Sequence, residues 1–137
     1  MNKELLIQKA LEAREHAYAP YSHFQVGAAL LTKDGKIYQG CNIENAAYTP
    51  TNCAERTAFF KAVYEGERDF EAIAVVGSPE GPCTGYASPC GVCRQVMREF
   101  CNPKEFRVIV AKSVEEYKEF TLEELLPMGF GPENLEG

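Results

Sequence analysis

Two short segments organise this chain, Cys53-Ala54-Glu55 and, further along, Ser88-Pro89-Cys90-Gly91-Val92-Cys93. Together they offer three thiolates for a zinc ion and a carboxylate two residues after the first thiolate. A zinc ion with three protein ligands keeps a fourth tetrahedral position for water, whereas a structural site is closed by four ligands. The segments therefore predict a hydrolytic zinc site in which the carboxylate moves protons between water and substrate.

Both segments fall where the sequence predicts the start of a helix. Thr51 and Asn52 are N-cap candidates for a helix over about 53–65, and proline near its first position favours a second helix over about 88–100. Zinc with three thiolates has excess negative charge, which the partial positive charge of two helix N-termini offsets. Arg56 offers a further cation, although an arginine here is equally compatible with a solvated helix face.

Other interpretations of the cysteines stay open. A fourth cysteine, Cys41 or Cys83, would close the zinc site and make it a structural one. The carboxylate so near the first ligand and the lack of a second C-x-x-C pair argue against this. A redox role is less favoured, because the C-x-x-C pair lies in no thioredoxin-like sequence context.

Composition limits the class of protein and its partners. The 137 residues, 45% of them hydrophobic, suffice for a single domain spanning 1–137 without disulfides. The net charge of −6, with no Lys/Arg-rich run, argues against a nucleic-acid partner and for a small substrate. The N-terminus has no signal-peptide pattern, and no apolar stretch is long enough to span a bilayer. We therefore expect a cytoplasmic protein without a membrane partner, in which the six cysteines are ligands, core residues or free thiols.

Hydrophobic periodicity predicts an α/β fold. Asp34-Gly35 between two apolar runs indicates a hairpin, and Gly27 in its first strand favours the close approach of a helix or ligand. The elements outside the two motif helices are expected at 3–17 (helix), 24–31, 37–42, 72–77, 106–111 and 117–120 (strands) and 121–126 (helix). This order predicts a three-layer α/β/α sandwich with a mixed five-stranded sheet, in which strands joined through helices are parallel.

The chain resembles the small, homotetrameric, zinc-dependent cytidine deaminases of pyrimidine salvage over most of its length. A ligand-x-Glu followed by Pro-Cys-x-x-Cys is the signature of zinc-dependent deaminases. The resemblance rests on five blocks in one order, which are Ala19-Pro20-Tyr21-Ser22, Phe24-Gln25-Val26-Gly27-Ala28-Ala29, Gly40-Cys41-Asn42-Ile43-Glu44-Asn45-Ala46, Cys53-Ala54-Glu55-Arg56 and Ser88-Pro89-Cys90-Gly91-Val92-Cys93-Arg94-Gln95.

The resemblance implies a complete metal site. It makes Cys53, Cys90 and Cys93 the ligands of one Zn²⁺ per subunit and Glu55 the catalytic proton shuttle. It also implies that Arg56 donates hydrogen bonds to the zinc-bound sulfurs.

The resemblance also implies how a nucleoside is bound. Asn42 and Glu44 would bind the ribose hydroxyls, Phe24 would pack on the pyrimidine, and Ala54 would offer backbone hydrogen bonds to the base. Phe130 would complete the site of a neighbouring subunit in a homotetramer. The residues alone also allow plainer interpretations, with a solvated turn around positions 42–44 and a core position for the phenylalanine at 24.

The implied reaction is hydrolytic deamination of cytidine and 2'-deoxycytidine to uridine and 2'-deoxyuridine with release of ammonia. Alternatives are a deaminase for a nucleoside-like antibiotic such as blasticidin S, a nucleic-acid editing deaminase, and a non-catalytic zinc-stapled binding domain. The chain departs from the family in a longer loop over 80–86, which could line the mouth of the site or cover a subunit boundary. It departs also at Thr49-Pro50-Thr51.

Overall fold

The computed structural model describes residues 1–135, so the last two residues of the predicted domain 1–137 lie outside the described residues. Its strands are β1 (Phe24–Thr32), β2 (Ile37–Cys41), β3 (Phe70–Pro79), β4 (Arg107–Ala111) and β5 (Tyr117–Thr121). Its helices are α1 (Lys3–Arg14), α2 (Ala54–Tyr64), α3 (Gly91–Phe100), α4 (Leu122–Leu125) and a 3₁₀ turn at Pro132–Asn134.

The five strands form one mixed sheet in the order β2-β1-β3-β4-β5, which confirms the predicted fold class. β3 and β4 are parallel and are connected through α3, as expected for a helical crossover. The hairpin β1–β2 is antiparallel, and so are the pairs β1–β3 and β4–β5. β5 reverses because the short connection over 112–116, rather than a helix, joins it to β4.

The helices cover both faces of this sheet. One apolar cluster joins α1 to alternate strand residues such as Ala29 and Val76, and the other joins α2, α3 and α4 to their neighbours such as Ala28 and Val75. Successive strand residues point to opposite faces, so the two clusters form the two sides of a sandwich. Within residues 1–135, none of the helices combines the length and the apolar character needed to cross a bilayer.

Two predicted helix boundaries, in α1 and α3, and the predicted N-cap of α2 were wrong. α1 ends at Arg14 rather than near residue 17. α2 begins at Ala54 with Cys53 as its N-cap, because Asn52 is still extended and bridged to Ile43. α3 begins at Gly91 with Cys90 as its N-cap, three residues later than expected. In both motif helices, the residue that caps the helix is a cysteine rather than a usual capping residue.

Gly27 lets α1 pack directly on the sheet. A β-carbon at this position would lie 2.1 Å from the carbonyl oxygen of Ala10 and 2.4 Å from the backbone nitrogen of Arg14. These are helix backbone atoms, which can move only if the whole helix moves. The predicted close approach at Gly27 is therefore made by α1.

Gly27→Ala is expected to lower the free energy of unfolding by about 3 kcal/mol, because α1 must separate from β1 to admit the methyl group. Urea denaturation would measure the change. The matched control is Gly85→Ala, since no atom lies within 4 Å of the position of that β-carbon. Equal stability of the two variants would contradict the close packing of α1.

Candidate metal centre and active site

The three motif cysteines converge at the N-termini of α2 and α3. Cys53 and Cys90 are the N-caps of these helices, and Cys93 lies buried in the first turn of α3. Their sulfurs lie within 4.8 Å of one another, with 3.8 Å between those of Cys53 and Cys90 and 3.5 Å between those of Cys90 and Cys93. Tetrahedral zinc with Zn–S bonds of about 2.3 Å holds its sulfurs about 3.8 Å apart. The donor type and spacing therefore fit zinc.

The other cysteines do not close this site. The thiol of Cys41 donates to the carbonyl oxygen of His16, 3.4 Å away. Cys83 packs against the apolar cluster of α1, on the opposite face of the sheet. Among residues 1–135, the cluster of potential metal ligands holds the three motif cysteines and no fourth one. The alternative of a four-cysteine structural site thus has no support in the fold.

Arg56 lies against the sulfurs rather than on a solvated helix face. Its Nη2 is 3.2 Å from the sulfur of Cys53, and its side chain is half-buried. Hydrogen bonds from the Cys93 thiol and from Arg56 lower the pKa of Cys53 to about 5, although burial opposes this shift. The thiolate form, which is the metal-binding form, is therefore already favoured at Cys53.

Glu55 is placed by α2 beside the sulfurs. Only 4% of the residue is exposed, and burial raises the pKa of its carboxyl to about 7. The nearby charge of Cys53 acts in the same direction. A buried carboxyl of this kind can both accept and release a proton near neutral pH.

A cavity of about 200 Å³ opens over Glu55, Cys53 and Cys90. The predicted residues Phe24, Asn42, Ala54, Glu55, Cys53 and Cys90 line it together with Val26, Thr51, Asn52, Val75, Ala87 and Ser88. A larger cavity of about 590 Å³, beside the C-terminal end of α3, includes none of the three motif cysteines in its lining. The carboxyl of Glu55 and two of the motif cysteines are therefore found at the smaller cavity.

The side chain of Asn42 is tied to the first strand. Its Nδ2 donates to the carbonyl oxygen of Phe24 at 2.8 Å, and its Oδ1 accepts from the backbone N–H of Val26 at 2.9 Å. An amide group has one further N–H and one further lone pair. Asn42 thus anchors the cavity wall and keeps limited capacity for a ligand.

Glu44 lies in an adjoining cavity of about 450 Å³ that shares Thr51 with the first one. Its carboxylate accepts from the backbone N–H groups of Tyr21 and Ser22, both at 3.1 Å, and from the Ser22 hydroxyl. The bond from this hydroxyl is the main cause that lowers the pKa of Glu44. Glu44 is therefore an ionised acceptor beside the main cavity rather than inside it.

Phe130 is the one predicted site residue that the structure places apart from this region. It does not line either cavity, and 56% of it is exposed. Its carbonyl oxygen accepts from Nε2 of Gln95 at 2.9 Å, which fixes the segment after α4. Its ring is therefore no part of the lining of these two cavities.

Arg94 is a site-supporting residue that the sequence analysis missed. Its guanidinium donates to the carbonyl oxygen of Pro89 and to the Ser88 hydroxyl, both at 2.7 Å, and to the carbonyl oxygen of Leu125 at 2.6 Å. These bonds hold the extended segment that delivers Cys90. Its position directly after the second motif was the available signal, but backbone acceptors cannot be identified from a sequence.

Comparison with known proteins gives a consistent result. The family model described as "Cytidine and deoxycytidylate deaminase zinc-binding region" matches residues 1–110. The chain is similar to cytidine deaminases of Sporosarcina psychrophila (56% identity, covering 98% of this chain and 96% of that one) and Halalkalibacterium halodurans (53%, 98% and 98%). The crystal structure of cytidine deaminase from Burkholderia pseudomallei superposes with a TM-score of 0.85 at 49% identity, covering 95% of this chain and 100% of that one.

Removing one sulfur should abolish zinc binding. Cys93→Ala is expected to reduce bound zinc to a small fraction of the wild-type content, because two thiolates no longer form a three-ligand site. Elemental analysis after dialysis against a weak chelator would measure this. Cys41→Ala and Cys83→Ala are the controls and should keep the wild-type zinc content. Loss of zinc in either control would show that the site has a fourth cysteine ligand.

Proposed function

Because the chain belongs to the cytidine and deoxycytidylate deaminase family, we propose that it hydrolyses cytidine and 2'-deoxycytidine to uridine and 2'-deoxyuridine with release of ammonia. One observation carries this proposal most directly. The buried carboxyl of Glu55 shares a cavity with Cys53 and Cys90, where a ring of nucleobase size can approach both the acid and the metal ligands.

The proposed mechanism assigns proton transfer to Glu55. Cys53, Cys90 and Cys93 would hold zinc, which when bound lowers the pKa of water at its open position. Glu55 takes a proton from the water that adds to C4 of cytosine, and it delivers this proton to the neighbouring ring nitrogen. It then assists departure of the exocyclic amine as ammonia. Its low exposure excludes bulk water, which strengthens each of these interactions.

The cavity walls support a nucleoside as substrate. Phe24 would pack on the pyrimidine, and Ala54 would offer its backbone to the base from the first turn of α2, where N–H groups have no helical acceptor. Asn42 and Glu44 would bind the ribose hydroxyls, with the free capacity of the amide and the carboxylate of the adjoining cavity. Neither cavity has lysine or arginine among its lining residues, which favours a neutral sugar over a phosphorylated one.

We also propose that residues 1–137 form one domain and that four copies assemble into a cytoplasmic homotetramer. The exposed ring of Phe130 supports this assembly, because it is available to enter the site of a neighbouring subunit. Tyr48, 71% exposed at the edge of the Glu44 cavity, is a second aromatic that a partner could cover.

Glu55→Gln tests the mechanism. The amide keeps the shape of the carboxyl but cannot shuttle protons, so kcat should fall about 100- to 10,000-fold while zinc content and melting temperature stay unchanged. Ammonia release from cytidine and 2'-deoxycytidine, with and without chelator, is the measurement. Glu65→Gln, at the exposed end of the same helix, is the control. Near-normal turnover in Glu55→Gln would refute the assigned role, and no ammonia from the wild type would refute the reaction.

Mixing variants tests the role of Phe130. Phe130→Ala and Glu55→Gln should each be impaired, but their mixed oligomers contain sites with one intact Glu55 and a partner's intact Phe130. We expect activity above that of either parent after refolding the two together. Glu55→Gln mixed with Cys90→Ala is the control, because both defects lie in one cavity and cannot complement. Absence of any gain, or a monomer in sedimentation, would exclude a shared site.

A further inference from the structure

Arg14 is a buried arginine whose guanidinium donates, within residues 1–135, to backbone carbonyl oxygens and a hydroxyl rather than to a carboxylate. It is the last residue of α1 and only 3% exposed. Its Nε donates to the carbonyl oxygen of Gln25 at 3.1 Å, and its Nη1 donates to that of Gly81 at 2.9 Å. Its Nη2 donates to the hydroxyl of Ser78 at 2.9 Å and to the carbonyl oxygen of Pro79 at 2.7 Å. The acceptors named here all come from strand ends and a loop, not from acidic side chains.

These acceptors lie at the end of the β1–β3 ladder that carries the substrate cavity. Gln25 pairs with Ser78, and Phe24 pairs with Pro79. Because side chains alternate along a strand, Gln25 points towards α1, whereas Phe24 points to the opposite face and lines the cavity. Arg14 therefore binds, from the α1 face of the sheet, the backbone next to Phe24, whose side chain lies on the opposite face.

The same guanidinium holds the start of the loop over 80–87. Gly81, whose carbonyl oxygen accepts a hydrogen bond from Nη1, has a positive φ of 100° at the turn where the loop leaves β3. The C-terminal end of the loop has a separate contact. The centroid of the Tyr86 ring lies 4.8 Å from Nζ of Lys112 and 4.9 Å from Nζ of Lys118. Between these anchors, the loop passes from the α1 side of the sheet to the cavity side.

The end of this loop meets Phe24 across a narrow gap. Ala87 and Ser88 line the cavity directly before the segment that delivers Cys90. A β-carbon at Gly77 would lie 2.8 Å from the β-carbon of Ala87 and 3.2 Å from Cε1 of Phe24. Ala87, at the end of the loop, and the ring of Phe24 thus both lie close to Gly77 of β3, and both line the cavity.

We propose that Arg14 is a positioning residue that sets the width of the cavity for the cytosine ring, a role that rests on the proposed function. It links the strand under Phe24 to the start of the loop that ends at Ala87, through bonds that no smaller cation can copy. Arginine presents five N–H donors in a planar fork, whereas lysine has three donors on a single nitrogen. A buried cation is costly to desolvate, so an apolar side chain would serve packing alone at least as well.

Arg14→Lys is the central test, with cytidine as substrate. The variant keeps the charge but cannot reach all the acceptors, so KM should rise about tenfold while kcat changes less than about threefold. Zinc content should stay at the wild-type value, since α2 and α3 carry the metal ligands. Arg68→Lys is the matched control, because Arg68 also donates to backbone carbonyl oxygens but lies in the segment that follows α2. It should leave KM unchanged.

Ser78→Ala keeps the proposal testable if Arg14→Lys does not fold. It removes one acceptor of Arg14 and the hydroxyl that lies 3.3 Å from the carbonyl oxygen of Pro82, so KM should rise about threefold. In the Arg14→Lys background its effect should shrink, as expected for two residues of one network. A lower melting temperature with wild-type KM in either variant would overturn the proposal. Wild-type protein without cytidine deaminase activity would instead refute the proposed function.

Discussion

The convergence of two helix N-termini is the constraint on which the rest of the structure depends. Cys53 and Cys90 occupy N-cap positions, where an oxygen side chain would normally accept a backbone N–H, and neither makes such a bond. Their sulfurs face each other instead, and the open N-termini supply positive potential to the thiolates. Some helix stability is thus given up so that the metal ligands meet at one point.

The depth at which the Glu55 carboxyl lies is fixed by backbone packing. A β-carbon at Gly40 would lie 2.4 Å from the carbonyl oxygen of Ala54, so the first turn of α2 lies directly on β2. Glu55 follows in this turn and is therefore carried into the cavity wall rather than towards solvent. Gly27 likewise lets α1 pack directly on the opposite face of the sheet. On that face, α1 places Arg14 against the end of β1.

The sequence predicted the sheet, the layers and the cysteine cluster, because hydrophobic alternation and ligand spacing are local signals. The helix N-caps were placed too early, since Thr51 and Ser88 are better capping residues than the cysteines that take this position. The double attachment of Asn42 to β1 could not be predicted, and neither could the bonds of Arg14. Their partners are backbone groups, which every residue carries and no sequence pattern distinguishes.

The metal ligands lie on both sides of a long excursion of the chain. Cys53 and Cys90 are 37 residues apart, and β3 and the loop over 80–87 run between them. A zinc ion bound by both Cys53 and Cys90 would close the segment between them into a loop. A chain closed in this way gains less conformational entropy when it unfolds. Zinc, which would supply the chemistry, would therefore also stabilise the folded chain. Zinc deficiency in a cell would then lower the amount of folded protein as well as its enzymatic activity.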